Sequence, residues 1–296
     1  MNSIDIESKK FLGQPKNFVS IFNALLFDGK QVLKPEYLKD ENSELVMNVS
    51  SKHVDIIKRY EDGTYLDLFV IESQSYVDPS MVARVMEYES VARMRYIRQN
   101  FKKHVPMHTR LPMILTVVLY VGESKWNAAK RLSELEIIHP GFEDMFNEFK
   151  LNLIELNTNH KYNTGEKATQ DFFDLLRMIY RKQILKEDLD REFNRDALYF
   201  AYVVTKNKEL LNIYQESEKG DVKVCRALDE MFEESTNKGI QMGIKQGIEQ
   251  GVERGVKNTQ IKIAIKMLVR NNQTLEEISE IVGLDLDALR ELKKSI

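Results

Sequence analysis

The spacing of apolar residues changes along this chain, and each change marks an element. Phe18, Ile21, Phe22, Leu25 and Leu26 recur at helical intervals, which predicts a helix over residues 15–27. Residues 54–60 and 65–74 read as the two strands of a hairpin, with Glu61-Asp62-Gly63 as the turn. Leu68, Phe69, Val70 and Ile71 are all apolar, as in a strand buried on both faces. Asp78-Pro79 has the cap-then-proline form that opens a helix, expected to run to residue 103. Residues 113–121 form a β-rich apolar run, a further central strand, and residues 151–156 a short one. This order of helix, strands, helix and strand suits an α/β fold, a small mixed sheet covered by helices.

All six prolines lie at or before Pro140, so the remaining 156 residues are free to be helical. Phe172, Phe173, Leu175, Leu176 and Ile179 mark one helix; Ala197, Leu198, Phe200, Ala201 and Val204 mark another. Residues 161–234 carry no catalytic signal and read as packing support for residues 1–160. The tail, residues 235–296, begins with a repeat: Gly239, Gly243, Gly247, Gly251 and Gly255, each followed by Ile or Val. In a helix each glycine costs ~1 kcal/mol against alanine, roughly 5 kcal/mol in all. Close approach of a second helix is one way to recover it, so self-association through residues 239–257 stands beside a solvated spacer. The interspersed Lys, Glu, Gln and Arg exclude a membrane dimer motif. In residues 274–296, Thr274 and Glu277 form a capping box, Gly283 closes that helix, and Asp285 caps the next. The pattern is similar to a helix-turn-helix. Its second helix carries Arg290, Lys293 and Lys294 against Asp287 and Glu291, which leaves DNA binding and plain packing both open.

Composition narrows the class. With 296 residues the chain can bury one sizeable core, or a core plus a smaller domain. No apolar run approaches the ~18 residues of a membrane span. Met1-Asn2-Ser3-Ile4-Asp5 lacks the regions of a signal peptide. The single cysteine, Cys225, excludes an internal disulfide and a cysteine-based metal site, so the cytoplasm is the default location. The net charge of −3 means that a nucleic-acid partner would be held by a local patch.

The candidate chemistry lies on the hairpin. Glu72 and Gln74 point to one face of their strand, because side chains there repeat every two residues. A carboxylate at the end of a buried strand loses solvation unless something pairs with it. Asp55, on the neighbouring strand, is a poor partner alone. Two acids with a divalent cation form a good arrangement, since Mg²⁺ takes one or two carboxylates together with substrate phosphates. The plainer alternative is a pair of ordinary strand-end polar residues.

Asp55, a sixteen-residue gap and Glu72-x-Gln74 resemble the PD-(D/E)XK nuclease superfamily, with Gln in place of its Lys. The surrounding segments narrow the match. They are Phe22-Asn23-Ala24-Leu25-Leu26-Phe27-Asp28-Gly29-Lys30, Lys34-Pro35-Glu36-Tyr37-Leu38, Arg84-Val85-Met86-Glu87-Tyr88 and Leu111-Pro112-Met113-Ile114. The last leads into Thr116-Val117-Val118-Leu119-Tyr120-Val121-Gly122, and the glycine repeat follows far downstream. In that order they are similar to the bacterial recombination-promoting nuclease/putative transposase family.

The resemblance implies a restriction-endonuclease-like core over residues 1–160, with an all-helical C-terminal region. It implies that Asp55 and Glu72 bind Mg²⁺ or Mn²⁺, with the Ser73 carbonyl as a further ligand. Gln74 would orient the attacking water, its amide standing where the superfamily has a charge. The implied activity is a DNA endonuclease of low sequence specificity that promotes recombination, transposition-like DNA processing or defence. A catalytically inactive DNA-binding or scaffold protein, regulated by oligomerisation, is the alternative. Arg84, Arg93, Arg95, Arg98, Lys102 and Lys103, interleaved with Tyr96 and Phe101, offer a face for phosphates or a merely solvated one. Arg84 and Tyr88, one turn apart, are candidates to orient Glu72 or Gln74. Asn23 and Asp28 are candidate neighbours of the site, with capping and turn roles as the alternative. His53 shares the strand face of Asp55, whereas Asp67 faces away from Glu72.

Overall fold

The computed structural model describes residues 3–40, 56–63, 66–184, 188–217 and 220–296. Two helices, α1 (Ser3–Leu12) and α2 (Pro15–Phe27), lead into strands β1 (Leu38–Asp40), β2 (Ile56–Glu61) and β3 (Leu66–Gln74). Helix α3 (Met81–Asn100) then joins β3 to β4 (Ile114–Tyr120), and β5 (Asn152–Glu155) completes the sheet. The strand order is β1-β2-β3-β4-β5. β1, β2 and β3 are antiparallel neighbours, from Ile56 opposite Ile71 to Glu61 opposite Leu66 in the hairpin. β4 and β5 run parallel to β3. Parallel neighbours need a crossover, which α3 supplies between β3 and β4. The mixed sheet flanked by helices is thus the expected α/β class.

Each face of the sheet is covered. Leu68 and Val70 pack with Ile57, Ile114, Tyr88 and Ala92 under α3. At the start of α3, Met81, Val82 and Val85 meet Val118, Tyr120 and Trp126. On the other face Phe69 meets Phe22 of α2, with ring centroids 4.8 Å apart. This double burial explains the unbroken apolar runs in β3 and β4.

Several expected boundaries move. α2 begins and ends where the spacing predicts it. The hairpin strand expected from Val54 is described from Ile56; Val54 and Asp55 lie outside the described residues. α3 starts at Met81, after Pro79, because Asp78 Oδ1 accepts hydrogen bonds from Ser80 N and Oγ and closes a turn first. It ends at Asn100, short of residue 103.

Downstream are α4 (Lys167–Arg181), β6 (Glu192–Phe193), α5 (Arg195–Thr205), α6 (Lys208–Glu216) and β7 (Val222–Lys223). Phe172 of α4 and Phe200 of α5 pack with Phe11 of α1. Arg191 joins Asp171 and Asp174 of α4 at 2.5 and 2.8 Å. The antiparallel pair β6–β7 is not expected from the sequence, since two-residue strands have no periodicity to read. The chain closes with α7 (Cys225–Arg270), α8 (Leu275–Val282) and α9 (Leu286–Lys294). The capping box at Thr274, the left-handed Gly283 and the Asp285 cap form as expected. The chain divides into two compact units, Met1–Asp229 and Glu230–Ile296.

Candidate active site

β3 carries the site because it lies between an antiparallel and a parallel partner. Its apolar run ends at Ile71, and the next positions on the α3 face are Glu72 and Gln74, 4% and 5% exposed. In the ladder Glu72 lies beside Val118, Ser73 beside Leu119 and Gln74 beside Tyr120. Three parallel strands end here together, at Gln74, Tyr120 and Glu155. The carboxyl ends of such strands are where open α/β sheets bind ligands. Gly122 makes the edge passable: a Cβ there would lie 2.6 Å from the Ser75 carbonyl.

The buried Glu72 has a counter-ion on α3. Arg84 Nη2 donates to Glu72 Oε1 at 2.9 Å, while Nη1 donates to Asp78 Oδ2 at 2.6 Å. Arg84 Nε and Nη2 also donate to the Tyr88 hydroxyl, at 3.1 and 2.8 Å. The Arg84 side chain is only 14% exposed. Burial alone would lower its pKa, but hydrogen bonds to Asp78 and Tyr88 and the charge of Glu72 outweigh it and raise the pKa. For Asp78, burial works against the charge, but Ser80 Oγ, Ser80 N and Arg84 outweigh it and hold the carboxyl below its usual range. Burial raises the Tyr88 pKa, and the field of Glu72 adds to the rise.

The helical spacing of Arg84 and Tyr88 brings both to Glu72, as a turn of α3 requires. Arg84, expected on a phosphate-binding face, has its guanidinium enclosed by Glu72, Asp78 and Tyr88. The other cations are separated. Arg93 Nη2 pairs with Glu89 at 2.7 Å, and Glu89 in turn accepts from Thr116 N of β4. Arg95 is half-buried; Arg98, Lys102 and Lys103 are exposed at and beyond the end of α3. Tyr96 and Phe101 pack edge to face on each other.

Asn23 is fully buried on α2, and its side chain exchanges two hydrogen bonds with the Leu33 backbone, both 2.9 Å. That anchors the segment after α2. Asp28 ends α2 in the left-handed region. Ser73 Oγ accepts from Ser8 Oγ of α1 at 3.5 Å, on the face opposite Glu72. Asp67 also faces away from Glu72 and accepts from Met113 N at 3.2 Å. Asp55 and His53 lie outside the described residues. Asp78 was read from sequence as a helix cap only. Its contact with Arg84 crosses a turn and has no fixed spacing that would have disclosed it.

The donor chemistry at Glu72 suits a hard cation, being carboxylate oxygen in a buried, polar strand end. Among the described residues no three His, Cys, Asp or Glu side chains come together as a metal cluster. Of the two acids expected to bind a cation, the described residues include Glu72. No helix of the described residues is long and apolar enough to cross a membrane.

A family model described as "Putative transposase, YhgA-like" matches residues 9–210. No curated protein and no solved structure matches the chain. The chain belongs to this YhgA-like transposase family, part of the PD-(D/E)XK nuclease-like superfamily.

Proposed function

We propose that this member of the YhgA-like family is a metal-dependent DNA endonuclease whose active site is the carboxyl end of β3. The observation that carries the reading is Glu72, a carboxylate buried at the end of the central strand and aimed by Arg84. Asp55, Glu72 and the Ser73 carbonyl would hold Mg²⁺ or Mn²⁺, all being hard oxygen donors. Such a cation, when bound, polarises a phosphate and lowers the pKa of a water. Gln74 shares the Glu72 face and holds the attacking water with its amide oxygen or donates to a phosphate oxygen through its amide nitrogen. Arg84 and Tyr88 fix the Glu72 carboxylate, so they are positioning residues. Arg98, Lys102 and Lys103 neutralise backbone phosphates, which gives binding without base reading.

Cutting is of low sequence specificity and serves recombination, transposition-like processing or defence within the cytoplasm. Copies associate through residues 239–257, where Ile240, Ile244, Ile248, Val252 and Val256 are exposed. A second reading is a nuclease fold that binds DNA without cutting. It is favoured by Gln74, which brings no charge to the place of the superfamily lysine. Supercoiled plasmid incubated with Mg²⁺, Mn²⁺ or Ca²⁺ separates the two. Relaxed or linear product with Mg²⁺ or Mn²⁺ supports the endonuclease, and a mobility shift with intact plasmid under all three supports the second reading.

A further inference from the structure

The α7 face turned away from α8 and α9 is a stripe of uncompensated cations. Ala264 and Leu268 are buried against Ile278, Val282 and Leu289, and Gln260 lies against Gly283. Lys262, Lys266 and Arg270 each follow one of these three by two residues, about 200° round an α-helix. All three are exposed. Residues 254–275 contain five cations and no carboxylate, in a chain with 46 acidic and 43 basic residues. Among the described residues Lys262, Lys266 and Arg270 form no ion pair. On α9 two of the three cations are paired: Arg290 with Asp287 at 2.9 Å, and Lys294 with Glu291 at 2.7 Å. Among the described residues of the second unit, then, the helix whose position suggests a recognition helix leaves one cation unpaired, Lys293, whereas α7 lines up three on one face.

We infer that Lys262, Lys266 and Arg270 form a binding site for the phosphate backbone of DNA. Successive cations are about 6 Å apart along the helix axis, which lets each meet a separate phosphate. Arg270 adds a planar fork that can take two phosphate oxygens. Contacts of this kind set position and affinity and carry no base information. The inference rests on the endonuclease reading only for the identity of the polyanion.

The test is fluorescence anisotropy of the full-length protein with a short duplex, in EDTA, across a salt series. In Lys262→Gln/Lys266→Gln/Arg270→Gln the slope of log affinity against log salt should fall by about 2.7, at about 0.9 per lost phosphate contact. Arg290→Gln/Lys294→Gln should leave it unchanged. If circular dichroism shows lost helix in the triple variant, Lys266→Gln alone is used, with an expected fall of about 0.9. An unchanged slope in the α7 variant overturns the inference, as does a loss confined to the α9 variant. Binding to anionic phospholipid vesicles that needs these three cations, with duplex binding intact, also overturns it. No divalent cation is present, so failure here leaves the Glu72 site standing.

Discussion

At the scale of single residues the site is a balance of buried charges. Breaking a buried ion pair by removing one partner costs about 3–5 kcal/mol, because the other charge is left unpaired. Arg84→Ala should lose on the order of 3 kcal/mol in urea unfolding, and more than Arg98→Ala, whose side chain is exposed. Asp78 gives the site a pH signature. Its folded carboxyl has a lowered pKa, so its stabilisation is complete above the unfolded value of about 3.9 and is lost as pH falls through the folded value. Wild type and Asp78→Asn should differ in stability at neutral pH and converge below that range; a constant difference would contradict the pairing. Gln74→Lys should retain cleavage and raise its rate, whereas Gln74→Ala should slow cleavage more than it weakens Mn²⁺ binding by calorimetry. Equal losses of both would contradict the water-holding role. Glu72 and Gln74 were legible because a strand has a period of two and the polar residues interrupt an apolar run. The Asp78–Arg84 pair was not legible, since a turn has no period.

At the scale of elements, the longer the regular pattern, the better the sequence disclosed it. Phe18 to Leu26 located α2, and the run from Leu68 to Ile71 located the buried half of β3. The start of α3 was misplaced because Asp78 spends its oxygen on the Ser80 turn before the helix begins. The glycine repeat lies within the 46-residue α7, and an added Cβ at each of its five glycines meets nothing within 4 Å. This observation makes alanine a discriminating probe. In a helix without a partner Gly243→Ala and Gly247→Ala should each stabilise by up to ~1 kcal/mol. In a close pair they should weaken association, which is the outcome expected here by light scattering against concentration. Ile244→Lys/Ile248→Lys/Val252→Lys should give monomer, with nicking retained and double-strand cutting reduced. An unchanged mass would reduce the repeat to a spacer.

At the scale of the whole molecule, composition said little about function, because acidic and basic residues nearly cancel. The informative quantity is where charge is left uncompensated: at and beyond the end of α3 at Arg98, Lys102 and Lys103, and on α7 at Lys262, Lys266 and Arg270. The prolines, all at or before Pro140, cover most of the mixed sheet, but β5 and the β6–β7 pair lie beyond them, so proline alone did not mark where the helical remainder begins. The central claim is that the carboxyl end of β3 cuts DNA with Asp55, Glu72 and a divalent cation. Its most direct measurement is the initial rate of supercoiled plasmid relaxation in Mg²⁺, for wild type, Asp55→Ala and Glu72→Ala, each checked for retained fold. Relaxation by the wild type that vanishes in EDTA and in both variants is the predicted result. Relaxation by a folded Asp55→Ala or Glu72→Ala at the wild-type rate would contradict the account.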